Sequence, residues 1–523
     1  KGIEMKRKTF HCVTAALLGL ALTAFLLLLG TSVPARAGSN VHCVNQAGTN
    51  CAAVCGGGCY ASVQAAVDGA FAGHEIRIAA GIYTAPGGTV AVVAKPLTLR
   101  GGYGQSCGDD DFDPGLHQTV LDAQWGGSVI SITNAGDVTL QHLTLTHGDG
   151  QGNCPGWPGS CGGGIYASGT NLYVGQCVVT DNVGGVVGGA NGGGIYAYAN
   201  GHHVEIWESR IVNNTAALST TVSSEYGNGG GIYIYQGTAS LWANEVADNV
   251  GGVNHGGSGG IHLRNVAQAN VLTNTIRGNK GCLSIYYGSG GGLIVESYSV
   301  GVYAAGNRIE NNRAGSLAGL GGGVNVGESD VHLARNTIVG NTTGAVGGDG
   351  GGVYILSDRP VTLSNNLIAR NIAPNSGGGV YATLGGAPGS QALLVNNTIV
   401  DNGFSGIVAD QYAVLTVTNN IVAGHTVGIT ETAPASITII ADHNLFWNGF
   451  DPIVGSNVIH ADPLLTADYH LGIGSPAEDA GVTVPWLTDD LAGDSRPQGG
   501  GYDIGAYEGT RSEVFLPLVM RNY

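Results

Sequence analysis

Between residues 162 and 408 the chain repeats one pattern nine times: a glycine run, an aliphatic residue opening an alternating stretch, then Asn-x-aliphatic-x-x-Asn. The runs lead into Ile165, Ile195, Ile232, Ile261, Leu293, Val324, Val353, Val380 and Ile407, spaced 27 to 37 residues apart. Repetition at this period marks a solenoid, because one repeat cannot bury its own apolar face and must stack on its neighbours.

The strand chemistry says which solenoid. Ile195-Tyr196-Ala197-Tyr198, Ile232-Tyr233-Ile234-Tyr235 and Val353-Tyr354-Ile355-Leu356 alternate with period two and favour β-branched and aromatic residues, so they read as strands. The first and third residues are apolar and point inward; the second and fourth vary and point outward. A second strand precedes each Asn motif, as in Val204-Glu205-Ile206-Trp207. No sustained helical period with caps occurs between residues 120 and 440. The repeat is all-β.

Two asparagine columns support this. Asn244, Asn274, Asn307, Asn336, Asn366, Asn397, Asn420 and Asn444 occupy one equivalent position. Asn182, Asn214, Asn249, Asn279, Asn312, Asn341, Asn371 and Asn402 occupy another, five residues later. Asn accepts left-handed corners, and its amide can both donate to and accept from an identical amide one coil away, at ~4.8 Å. A catalytic Asn would not need eight copies.

On these features the chain resembles the right-handed parallel β-helix family often described as pectin-lyase-like, over roughly residues 60 to 450. The expected fold is an all-β, single-stranded right-handed parallel β-helix with an N-terminal cap and a C-terminal capping or anchor segment. Ser62-Val63-Gln64-Ala65-Ala66-Val67 reads as a short amphipathic cap, which a solenoid end needs to cover its strand edges. Ile76 to Tyr83, Thr119 to Ala123 and Val138 to Leu145 read as early coils.

The N-terminus has the form of an export signal: Met5, then Lys6-Arg7-Lys8, an apolar run from Val13 to Leu29, and Ala35-Arg36-Ala37 before Gly38. The expected order is signal peptide 1–37, Cys-rich segment and cap 38–75, β-helix 76–450, C-terminal segment 451–509 and a short apolar tail 510–523. No later span is long enough to cross a bilayer. Loss of residues 1–37 removes five basic residues and one acidic residue, taking the net charge from −17 to −21 and leaving Lys95 and Lys280 as the only lysines. Nucleic acid is excluded as a partner, since little remains to neutralise phosphates. Of the remaining cysteines, Cys43, Cys51, Cys55 and Cys59 are placed to tie down the cap as disulfides, and Cys154 and Cys161 to close a loop. A metal on Cys51, Cys55 and Cys59 is the weaker alternative, without a histidine at zinc-like spacing.

Beyond Asn444 the repeat stops. Ala461-Asp-Pro-Leu-Leu, Gly474-Ser-Pro-Ala-Glu-Asp-Ala-Gly, Asp490-Leu-Ala-Gly-Asp-Ser-Arg-Pro497 and Asp503-Ile-Gly-Ala-Tyr-Glu508 resemble the choice-of-anchor Q module of exported bacterial proteins. That resemblance implies secretion, with the protein released or attached at the cell surface. Asp489, Asp490, Asp494, Asp503 and Glu508 offer oxygen ligands of the kind calcium takes. The plainer reading has Arg496 paired with one or two of them while the segment caps the last coil. No cofactor is expected.

Pectinase-type hydrolases of this fold carry Asn-Thr-Asp, Asp-Asp and Gly-His-Gly on neighbouring coils, and the repeats contain none of these. Asp181, Asp248 and Asp401 share one turn position, and Lys280, Arg308 and Arg313 are the basic residues a lyase would recruit; turn and surface roles explain all six. The aromatic residues stand out more. Tyr166, Tyr196, Tyr198, Tyr233 and Tyr235, continuing into His262 and Arg264, occupy outward positions on successive coils, and Trp207 and Trp242 do so on the second strand. Such rings offer sugars a large flat apolar area with few rotamers to freeze, unless loops 147–163 and 215–229 cover them. The reading is therefore a carbohydrate-binding or adhesive surface for a polysaccharide or cell-surface glycan, without assigned catalytic residues. The rivals are a polysaccharide lyase or glycoside hydrolase, and a structural envelope or matrix component.

Overall fold

A computed structural model describes residues 40–509, apart from 86, 153–159, 187–188, 219–225, 284–286, 386–389 and 454. The expected export signal, the tail 510–523 and Cys154 lie outside the described residues. Among the described residues no helix is long and apolar enough to cross a membrane.

Each coil contributes three short strands that pair in parallel with those of the next coil. In one coil these are Ile195–Tyr198, His203–Trp207 and Arg210–Val212. The next coil answers with Ile232–Tyr235, Thr238–Trp242 and Glu245–Ala247 in unbroken register: Ile195 faces Ile232, Trp207 faces Trp242 and Ile211 faces Val246. Among the described residues the first and second strands build one 25-stranded sheet, and the third strands a 14-stranded sheet. The inward residues, Ile195, Ala197, Val204, Ile206 and Ile211, are at most 1% exposed, and one continuous core runs from Val44 to Phe446. This is the expected parallel β-helix.

Both asparagine columns form ladders. Asn274 shows the bonding of an interior member. Its Nδ2 donates to Asn307 Oδ1 (3.0 Å) and to the Leu241 carbonyl (2.9 Å), while its own Oδ1 accepts from Asn244 Nδ2 and N (3.0 Å each). Every polar atom of the buried amide is satisfied, which is what makes its burial tolerable. The first ladder ends at Asn444, and the second runs from Asn182 to Asn402. The residue before each ladder position turns the corner with positive φ, even where it is Ala243 (55°), Thr273 (54°) or Arg335 (52°). Such conformations cost about 1–3 kcal/mol each and persist only where the surroundings over-determine them; the ladder provides that constraint.

The glycine runs close the coil. The middle glycine lies directly against the chain leaving the second ladder: a Cβ on Gly193 would sit 2.5 Å from the Thr215 carbonyl carbon, and one on Gly230 2.4 Å from the Val250 oxygen. The third glycine packs on the ladder amide itself, with Gly194 leaving only 3.0 Å to Asn214 Nδ2. Glycine is needed there for close approach, independently of φ.

At the N-terminal end, helix α1 (Val63–Gly69) is capped by Ser62 and buries Val63, Ala66 and Val67, as the amphipathic pattern predicts. Disulfides Cys43–Cys55 and Cys51–Cys59 staple the adjoining segment. The sulfurs of Cys43, Cys51 and Cys55 do lie close together, but both bridges consume them, so the metal alternative is set aside. Cys161 is also disulfide-bonded, while Cys107 and Cys177 are buried thiols. Two of the early coils each hold a corner. Ile76–Tyr83 breaks at Ala80 and Val138–Leu145 at His142 (φ 53°), because the coil turns a corner there.

The C-terminal segment departs from expectation. Rather than capping the last coil, residues 461–509 fold back as a strap along the flank. Ala477 and Ile504 pack on Leu367, Ala369, Val400 and Ile421, and Val484, Leu487 and Tyr502 pack on Val395. Four successive corners hold it: Arg335 pairs with Asp489, and the side chains of Asn365, Asn396 and Asn419 donate to the carbonyls of Asp489, Asp503 and Val482 at 2.6–2.8 Å. Apolar residues on the outer face of the last coils explain this, since an end cap would have left them in water.

Candidate ligand-binding surface

The outward residues form three stripes that differ in exposure. On the second strand, Gly175, Trp207, Trp242, Leu272, Ala305 and Ala334 align by register. The Trp207 ring lies over Gly175, where a Cβ would meet it at 2.1 Å. Trp242 stacks on Trp207 with centroids 6.2 Å apart and planes 15° from parallel. Glu205 fixes the second indole by accepting its Nε1–H at 3.1 Å. Both rings are half-buried, so part of each stays in contact with solvent.

Tyr198 and Tyr235 form the second stripe, stacked at 5.4 Å and also half-buried. The register continues it into Arg264 and then Glu296. Glu296 Oε1 lies 3.1 Å from His262 Nε2 and 3.5 Å from Arg264 Nε. Burial opposes ionisation of Glu296, but His262 and Arg264 outweigh it and hold the carboxyl below its ordinary range.

The third stripe is Tyr166, Tyr196, Tyr233 and His262. It points away from the core, as alternation requires, but of its four residues only Tyr196 keeps partial exposure. Tyr166, Tyr233 and His262 are 5%, 4% and 2% exposed. The cover is an excursion that each coil makes between its third strand and the next glycine run, with small sheets of its own such as Val183–Gly185 with Thr215–Ala217. Gly257 sits beside the His262 ring, and in later coils Leu320 packs on Tyr354 and Tyr381. Tyr166, Tyr196 and Tyr233 stack within 6 Å at 3–5°, and each pair contributes ~0.5–1.5 kcal/mol beyond its burial. Of the residues singled out in the sequence as a binding surface, Trp207, Trp242, Tyr196, Tyr198, Tyr235 and Arg264 keep partial exposure.

Asp181, Asp248 and Asp401 all have φ of 55–56°, which fits the turn reading. Arg308 pairs with Glu310. In the strap, Arg496 is fully buried against Glu508 and donates to the Gly505 carbonyl at 2.7 Å. Asp490 accepts from the backbone of Asp494 and Glu508, and Asp503 from Asp479 and Gly509. These carboxylates are turned toward protein donors.

A further feature escaped the sequence reading. Tyr303 and His332 continue the second-strand outer face and meet Trp486 of the strap, forming a cleft of about 100 Å³. Its partners are distant in sequence, and no local pattern marks it.

The fold's handedness agrees with a family model described as "Right handed beta helix region", which matches residues 259–446. Among solved structures, the chain is similar to pectate lyase Pel9A (12% identity, TM-score 0.34, covering 86% of this chain and 91% of that one). It is also similar to XylC in complex with xylose (11% identity, TM-score 0.46, 90% and 99%). A search of curated protein sequences returned no match.

Proposed function

We propose that this is an exported β-helix protein that binds extended carbohydrate chains along the outer face of its second-strand sheet, released or held at the cell surface. The carrying observation is the Trp207–Trp242 pair: two half-buried parallel indoles on adjacent coils, one seated on a glycine and one oriented by Glu205. Ring-on-sugar stacking needs such fixed flat area, and fixing it beforehand lowers the entropy cost of binding. Calorimetric titration with soluble hexasaccharides tests the reading. Trp207→Ala and Trp242→Ala should each weaken binding about tenfold, ~1.4 kcal/mol, with unchanged melting temperature. Equal affinity in both variants would sink it.

A second reading, cleavage of the bound chain, draws on the cluster of Tyr235, Arg264, His262 and Glu296, where acid, base and aromatic platform adjoin. Polymer shortening by the wild type, abolished in Glu296→Gln, would support it. Neither activity would leave the structural role.

A further inference from the structure

The cleft under Trp486 joins two parts of the chain. One wall is Tyr303 and His332, on adjacent coils, whose rings meet edge-on with centroids 5.3 Å apart. The opposite wall is Trp486 from the strap, which stands edge-on to His332 at 6.1 Å and leaves half its surface exposed. The polar groups are arranged with little freedom. His332 Nε2 lies 2.7 Å from Ser364 Oγ, and Arg335 is bound to Asp489. Burial, helped by Arg335, pushes His332 down to about 4, so its ring is neutral near pH 7. The only full charges lining the cleft neutralise each other.

Its position completes the argument. Trp242, Leu272, Ala305 and Ala334 lie in one register column, and Tyr303 shares a strand with Ala305, so the cleft begins two coils beyond Trp242 on the same outer face. At the inter-strand spacing this is ~10 Å. A chain lying on the two indoles and running along the solenoid axis reaches the cleft, where the strap blocks further passage over Ser364 and Val395.

We propose that this cleft is the terminal subsite of the carbohydrate surface and takes one neutral sugar residue at the end of a bound chain. The inference rests on the binding function proposed above and adds the class of ligand. Three aromatic walls supply apolar contact for a pyranose ring, and the paired Arg335 and Asp489, both partly exposed, supply hydrogen-bonding groups for hydroxyls. A uronate carboxylate would find no unpaired cation there, and Asp489 would repel it.

The test is calorimetric titration of the chain from Gly38 onward with cellohexaose, mannohexaose and hexagalacturonate. The variants are Trp486→Ala on the strap wall and Tyr303→Ala on the solenoid wall, each checked for unchanged melting temperature and unchanged amide exchange in the strap. Binding of a neutral hexasaccharide, weakened about tenfold in both variants, supports the subsite. Loss in Trp207→Ala and Trp242→Ala alone, with both cleft variants binding as wild type, overturns the subsite and leaves the surface standing. Hexagalacturonate binding that depends on Trp486 overturns the neutral-sugar assignment. A wild type that binds none of the three overturns the surface and the subsite together.

Discussion

His425 Nδ1 accepts the backbone N–H of Asn402 at 3.2 Å, in the place where every earlier coil of the second ladder presents an asparagine oxygen. Its Nε2 lies 3.0 Å from the Ile399 carbonyl, which assigns the proton to Nε2 and leaves Nδ1 as an acceptor only while the ring is neutral. The ladder thus ends on a group that titrates. Burial lowers His425 from 6.5 to about 4. A lowered histidine contributes stability that is complete above pH 6.5 and disappears as pH falls through 4. Its share is about 3 kcal/mol. His142 and His332, lowered to about 4 by the same cause, act in the same direction. Denaturant unfolding at a series of pH values should show stability falling from pH 6.5 to 4, and less steeply in His425→Asn. Matching slopes in the two proteins would refute the assignment.

The glycine runs make a sharper prediction. A Cβ on Gly322 would lie 2.6 Å from the Gly351 oxygen and from the Thr342 carbonyl carbon, whereas one on Gly88 meets nothing within 4 Å. Gly322→Ala should cost about 3 kcal/mol, at the upper end of overpacking penalties. Gly88→Ala should stay within about 1 kcal/mol of wild type. Urea melts followed by circular dichroism separate the two, and similar midpoints would count against the close-approach argument.

Arg496 and Glu508 form a fully buried pair inside the strap. Arg496→Met should destabilise the strap by about 3–5 kcal/mol, because it leaves a buried carboxylate without its counter-charge. Adding Glu508→Met should recover part of the loss, since the backbone N–H groups of Gln498 and Asp503 then lose their acceptor. The readout is amide exchange across residues 461–509 in the single and double variants. A single variant with unchanged protection would show that the pair does not hold the strap.

The two N-terminal bridges span 12 and 8 residues, and each should contribute about 2–3 kcal/mol. Reduction should lower the stability of the cap while the solenoid stays folded. Burial pushes the Cys107 and Cys177 thiols up to about 11 and 12, so maleimide should label neither until the protein unfolds. Rapid labelling of the native, oxidised protein would contradict their burial.

The solenoid was legible because its causes are local and repeated. Asn307 hydrogen-bonds only to the coils before and after it, so its role appears as a column in the sequence. The same logic predicted that Tyr233 faces away from the core, yet could not say that it is 4% exposed. The excursions beside this stripe carry strands of only two or three residues, such as Thr215–Ala217 and Tyr226–Gly227, too short to show alternation. The cleft was beyond reach for a different reason: Arg335 and Asp489 are 154 residues apart, and the strap that joins them does not repeat. Its placement on the flank follows from apolar outer positions such as Leu367 and Val395, which periodicity marks only as variable.

The strap also bears on how the chain finds its register. Two ladders of identical amides are nearly indifferent to a slip of one rung, since an Asn displaced by a coil meets another Asn. The strap occurs once, and its Val482, Asp489 and Asp503 must meet Asn419, Asn365 together with Arg335, and Asn396 respectively. A stack slipped by one coil still offers asparagines to some of these contacts, but it sets Gly306 or Asn365 where Arg335 should meet Asp489 and so loses the ion pair. The non-repeating segment therefore removes a degeneracy that the repeats create, and the number of coils beneath it is counted rather than merely covered.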